Sequence, residues 1–209
     1  MLKFYANSNI MVVGATSSGK TTTVLEIIRQ RLIEPFPRHL IYLYGAKQSF
    51  MDTWNKDKNN PKIEFVCGLQ LEILDKFNGP KLLIIDDLCL SQNKDLANHF
   101  IRGSHHLQTT TIYISHSIFL NDDNYRMMSA NCQYMLIMRN KRNLAQLTRL
   151  ARQILGSDYL RILEAYEYNK NNQFGFVLLS FHPKVPEELL VLSDFFKPCP
   201  SVFLTEKII

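Results

Sequence analysis

Short blocks of consecutive apolar residues alternate with longer stretches whose apolar residues recur every three or four positions. That alternation predicts strands interleaved with helices around a mainly parallel sheet, an α/β fold. Strands are expected at 10–13, 40–44, 63–67, 81–88, 110–115, 134–138 and 174–180, the last of these closing the sheet. Helices are expected at 19–33, where Pro35 and Pro37 stop the run, and at 69–77, 96–106, 144–155 and 159–168. A further helix is expected at 186–195, followed by a tail from Pro198 to the end. Residues 48–61 are polar and read as a surface excursion carrying Trp54, Lys56 and Lys58. Residues 1–197 form one predicted domain, with 198–209 as its C-terminal tail; the nine residues before the first strand leave no room for an N-terminal accessory domain.

The first expected strand runs into Gly14-Ala15-Thr16-Ser17-Ser18-Gly19-Lys20-Thr21, which matches G-x-x-x-x-G-K-[ST]. The pattern follows an apolar run and opens the helical pattern Val24, Leu25, Ile27, Ile28, Leu32, the strand–loop–helix context that distinguishes a phosphate loop from a chance turn. Glycines let backbone N–H groups wrap phosphate oxygens, and the helix N-terminus adds partial positive charge. Lys20 is placed to reach the β- and γ-phosphates of ATP, the Thr21 hydroxyl to ligate Mg²⁺, and Thr22 to meet the α-phosphate.

Four branched apolar residues, Leu82 to Ile85, deliver Asp86 and Asp87 at the end of a strand. The carboxyl ends of parallel strands line the ligand crevice. Asp86 is the expected Mg²⁺ ligand, and Asp87 the group that accepts a proton from attacking water. A second acid favours water as acceptor, and hence hydrolysis over transfer to a small molecule. The strand at 110–115 ends in Ser115 and His116, with His116 placed to contact the γ-phosphate or the water.

The chain has 24 Lys and Arg against 19 Asp and Glu, a formal charge of +5, which is compatible with nucleic acid. No acid occurs between Asn124 and Ser157, a stretch holding Arg126, Arg139, Lys141, Arg142, Arg149 and Arg152. Such an uncompensated run predicts a basic face that meets DNA phosphates, a neighbouring subunit's nucleotide or solvent. Apolar runs are too short for a membrane span, so no membrane partner is expected. The N-terminus lacks a secretory signal, and Cys67, Cys89, Cys132 and Cys199 are widely spaced, which predicts an unsecreted protein in a reducing compartment.

Taken in order, these pieces resemble the FtsK/HerA-type branch of P-loop motor ATPases, and within it the viral genome-packaging ATPases of poxviruses, virophages and Polinton-like elements. The resemblance rests on 14–22, 82–88, Gly103-Ser104-His105-His106 leading into 111–119, the segments 126–131 and 138–142, and Leu150-Ala151-Arg152-Gln153. It implies a RecA/FtsK-HerA-like core that hydrolyses ATP with Mg²⁺. It further implies translocation of double-stranded DNA through a capsid portal vertex, by a ring of five or six subunits, in the virion or the viral factory. An arginine supplied in trans would complete each site, Arg102 and then Arg126 being the candidates. Arg139, Lys141, Arg142, Arg149 and Arg152 are the candidate DNA contacts. Three features depart from the family pattern: His116 stands where glutamine is usual, Asp87 where glutamate is common, and Leu107-Gln108 where a basic residue usually follows the double histidine. Another DNA translocase or helicase, or a nucleotide-gated scaffold that does not hydrolyse, would carry the same loop.

Overall fold

A computed structural model describes residues 2–86, 88, 94–103, 107–119, 122–140 and 144–204, with the side chains of 94, 102 and 103 outside that description. The chain begins with β1 (Phe4–Tyr5), β2 (Asn9–Val13), α1 (Lys20–Arg29), β3 (Ile33–Glu34), β4 (His39–Tyr44), α2 (Met51–Trp54) and β5 (Glu64–Cys67). It continues with β6 (Lys81–Asp86), α3 (Lys94–Asn98), β7 (Thr109–Ser115), α4 (Asp123–Ala130), β8 (Tyr134–Met138), α5 (Leu144–Leu155) and α6 (Leu160–Tyr168). The last elements are β9 (Phe176–Ser180), β10 (Val191–Ser193) and β11 (Ser201–Val202).

Among the described residues, nine strands form one sheet in the order β11-β10-β9-β8-β2-β7-β6-β4-β5. The six strands from β8 to β5 are mutually parallel, and β9, β10 and β11 are each antiparallel to their predecessor in the sheet. The parallel centre explains the unbroken apolar runs: β2, β6, β7 and β8 are buried along their whole length because helices cover both faces. One face packs Val24, Ile27 and Ile28 of α1 against Ile10, Val12 and Leu82; the other packs Met128, Leu147 and Ile162 against Met11, Val13 and Leu83. A mixed α/β sheet with flanking helices is thus what the periodicity predicted.

Packing rather than propensity holds α1. Its first turn contains Thr21, Thr22 and Thr23, which together cost roughly 2 kcal/mol relative to alanine. Burying Val24, Leu25, Ile27 and Ile28 outweighs this, at about 1.5–3 kcal/mol each. The helix stops at Arg29, short of the expected residue 33. Arg31 turns the chain at φ 53°, so that Ile33 pairs with Phe4 in a separate two-stranded ribbon.

The C-terminal expectations need correction. Residues 186–195 are not a helix: a 3-10 turn at Glu187–Leu189 leads into β10, which extends β9. The consecutive apolar residues Leu189 to Leu192 fit either period, and the open edge of β9 decides for the strand. Phe176–Ser180 is therefore not the closing strand, and the expected tail supplies β11 against Leu192 and Ser193. Expected helix 96–106 is α3 continued by a π-helical turn at His99–Gly103, and 104–106 lie outside the described residues. Expected helix 69–77 is a 3-10 turn at Leu71–Lys76. The polar excursion is anchored: Trp54 is buried and donates its indole N–H to the Pro61 carbonyl. Among the described residues, no helix is long and apolar enough to cross a membrane.

Candidate nucleotide-binding site

The site follows from the strand order. The loop after β2 and the end of β6 are separated by β7, so Gly14, Asp86 and Ser115 come together at one edge of the sheet. There a cleft of about 500 Å³ is lined by Thr16, Ser17, Gly19, Lys20, Thr21, Thr22, Gln48, Asp86, His116 and Phe174. The residues read from the sequence as phosphate loop, metal ligand and sensor therefore share one cleft, although they come from three strands.

The loop needs its glycines. Gly19 has φ 94°, in the left-handed region, and a β-carbon there would lie 2.4 Å from Cδ1 of Phe174. A β-carbon on Gly14 would lie 2.6 Å from Cβ of Met138. Ser17 also turns through φ 62°. Beneath this turn Lys20 is 7% exposed, and its ammonium donates to the carbonyls of Gly14 at 2.8 Å and Ala15 at 2.9 Å. The His116 Nδ1 lies 3.3 Å from the same Nζ. An ammonium only donates, so this contact assigns the acceptor role to Nδ1 and the ring proton to Nε2. No acid stands in the first turn of α1, which leaves the positive end of its dipole facing the cleft.

Asp86 is 4% exposed, and its Oδ2 accepts from the Tyr42 hydroxyl at 2.6 Å and from Gln48 Nε2 at 2.7 Å. Burial, and then the Asp86 charge, push the Tyr42 hydroxyl far above its ordinary range, so it stays protonated and donates. Thr21 and Asp86 present hard oxygen donors in the same cleft, a set that fits Mg²⁺, which takes one or two protein oxygens plus phosphates and water. When bound, such an ion neutralises charge developing between the β- and γ-phosphates. Among the described residues, no group of three or more His, Cys, Asp or Glu forms a separate metal site.

Gln48 and Phe174 line this cleft and Tyr42 stands behind it, and the sequence pattern marks none of the three as a site residue. Tyr42 lies in an apolar strand, Gln48 opens a polar stretch and Phe174 begins the expected strand 174–180, so none carries a signal of its own.

The remaining candidates scatter. Asp87, Lys141 and Arg142 lie outside the described residues, as does the Arg102 side chain. Arg126 sits on α4 and, with Arg149, lines a different cleft of about 500 Å³ that also includes Phe119, Ser129 and Gln153. Arg139 donates to the Tyr166 carbonyl at 3.1 Å and lies over the Tyr166 ring. Arg149 lies over Phe119, and Arg152 lies over Tyr159 at 4.2 Å from the ring centre. Arg139, Arg149 and Arg152 thus rest on three different aromatic rings.

No protein-family model matches the chain, and no curated protein matches it by sequence. The fold is that of P-loop NTPases. Among solved structures it is similar to the DNA-packaging ATPase B204 of Sulfolobus turreted icosahedral virus, with a TM-score of 0.57, 11% identity, and 84% of this chain and 93% of that chain covered. It is also similar to the genome-packaging NTPase B204 of Sulfolobus turreted icosahedral virus 2 in complex with ATP-γ-S, at TM-score 0.51 and 11% identity over 84% of this chain and 93% of that one. A KaiC-like protein of Pyrococcus horikoshii has a TM-score of 0.51 and 12% identity over 96% of this chain and 91% of that chain.

Proposed function

We propose that the chain is a Mg²⁺-dependent ATPase of FtsK/HerA type that drives double-stranded DNA into a viral capsid, working as a ring at the portal vertex. The observation that carries the ATPase reading is the convergence of Lys20, Thr21, Asp86 and His116 on one cleft beneath the N-terminus of α1. In that cleft Lys20 and the loop amides bind the triphosphate. Asp86 and Thr21 hold its cation, and His116 senses the terminal phosphate from the strand between them. Asp87, next along the chain, takes the proton from water. The packaging half is supported by the likeness in fold to viral B204, which covers most of both chains, and by the ordered motifs after residue 103.

The test is phosphate release by the full chain with and without double-stranded DNA. Wild type should hydrolyse ATP and be stimulated by DNA. Lys20→Ala should lose binding, and Asp87→Asn should keep binding while losing turnover. Undiminished turnover in Asp87→Asn removes that residue from the mechanism. Hydrolysis indifferent to duplex DNA overturns the translocase reading while leaving the ATPase intact.

A further inference from the structure

Beside the phosphate cleft lies a second cavity of about 230 Å³, walled by Phe174, Gly175, Phe176 and Phe196, its polar members including Asn172, Asp194 and Lys197. Phe174 lines both spaces. Its ring abuts Gly19 at the start of α1, yet the residue is 44% exposed. An aromatic left half-open between a phosphate loop and an aromatic-walled recess is placed to stack on a flat ligand that reaches from one to the other.

We propose that this cavity is the nucleobase pocket of the site, and that it selects adenine through Phe174 and Asp194. The inference rests on the reading that the loop around Lys20 holds a nucleoside triphosphate. With the α-phosphate at Thr22, the base must lie within a ribose's length of the α1 N-terminus, and the shared Phe174 wall puts the cavity there. Phe176 and Phe196 meet edge to face at 5.5 Å, giving the recess the apolar body that small-molecule pockets have. A β-carbon on Gly175 would lie 2.8 Å from Asn169 Oδ1 and Asn172 Cβ, so the glycine lets the chain pass close behind the recess.

Asp194 supplies the selection. Its side chain is 8% exposed, and its Oδ2 accepts from Lys197 Nζ at 2.8 Å and from the Tyr168 hydroxyl at 3.0 Å. Lys197 is the counter-ion of this carboxylate. Among the described residues both bonds fall on Oδ2, which directs acceptance from a ligand to Oδ1. Adenine offers a single exocyclic amine that one oxygen accepts. Guanine presents a carbonyl at that position, and its two-donor edge is best met by two carboxylate oxygens, one of which is already filled.

The experiment measures binding of ATP, GTP and base-free tripolyphosphate to the full chain. Wild type should bind ATP more tightly than GTP and than tripolyphosphate. Phe174→Ala should weaken ATP by roughly 5- to 150-fold, as loss of an aromatic stack does, and weaken tripolyphosphate far less. Phe174→Trp should restore ATP binding. Asp194→Asn should narrow the ATP-over-GTP preference, and because Phe174 is exposed, its variants keep the assignment testable if Asp194→Asn fails to fold. If ATP and tripolyphosphate bind equally and both depend on Lys20, the base pocket is overturned while the phosphate site stands. If neither binds the wild type, the nucleotide reading itself falls and takes the pocket with it.

Discussion

The Tyr42 hydroxyl donates to Oδ2 of Asp86 across 2.6 Å, from a strand three places along the sheet from the one that runs into the phosphate loop. Sheet register sets this contact. Tyr44 stands opposite Asp86, and Tyr42 lies one pleat back on the same face, paired with Ile84, so its long side chain reaches forward to the carboxylate. Tyr42 therefore positions the Asp86 carboxylate, the metal ligand of the proposed site, from the layer behind it.

Tyr42→Phe removes this donor and leaves Asp86 with Gln48. Second-layer partners of metal ligands typically contribute 10- to 100-fold in metal affinity, so the Mg²⁺ concentration that half-saturates ATP hydrolysis should rise by about that factor. Folding stability should fall by about 1.5–3 kcal/mol, the value of a hydrogen bond to a charged group. A Mg²⁺ titration separates the two effects: lower stability with an unmoved Mg²⁺ midpoint would make Tyr42 structural only.

Gly19→Ala carries two independent penalties, one from a left-handed φ of 94° and one from the 2.4 Å approach to Phe174. The conformational part alone costs on the order of 1–2 kcal/mol. Adding Phe174→Ala relieves the collision and not the backbone strain. Urea unfolding of the two single variants and the double variant should therefore show the double recovering part, but not all, of the loss. Full additivity would mean that the two side chains never meet.

What the sequence made legible is what is local. Gly14, Gly19, Lys20 and Thr21 are neighbours along the chain, and the backbone chemistry of a phosphate cradle constrains each of them at once. Asp86 was readable because a charged residue closing a fully apolar strand has few places to be except the sheet's end. Tyr42 and Gln48 were not readable, since they meet Asp86 across 44 and 38 residues and nothing beside them marks the contact. Phe174 is ordinary in sequence and acquires meaning only when β9 is laid next to β8. The C-terminal strands were misread because a short apolar run has no period of its own, and the neighbouring open strand edge decides its state.

His99 should make the fold acid-sensitive. It is 7% exposed, with Nε2 at 3.0 Å from Thr111 Oγ1, and burial pulls its imidazole down from 6.5 to about 4. Between those two values the unfolded chain binds a proton that the folded chain refuses. The stabilisation is therefore complete above pH 6.5 and is lost as pH falls through the window, a decline on the order of 3 kcal/mol by pH 4. Urea midpoints measured across this range should drop in wild type and flatten in His99→Gln. A slope that persists unchanged in the variant assigns the acid sensitivity to other groups.

Arg126 tests whether neighbouring subunits share sites. α4, which carries it, packs on the sheet face opposite α1, its side chain is 66% exposed, and it is not among the residues lining the phosphate cleft of its own chain. Its ion pair with Asp123 at 3.1 Å is solvent-facing and worth at most about 1 kcal/mol. With Arg149 beside it in a cleft of about 500 Å³, the pair forms a cationic recess suited to a neighbour's phosphates. In the ring reading Arg126→Ala should lower turnover by about 10³-fold or more, as loss of an arginine supplied in trans does. Mixing it with Lys20→Ala should then restore activity, because about a quarter of the contacts in a randomly mixed ring join an intact pocket to an intact arginine. Two inactive variants that stay inactive together would mean that each subunit completes its own site. Normal hydrolysis by Arg126→Ala alone would pass the role to Arg102.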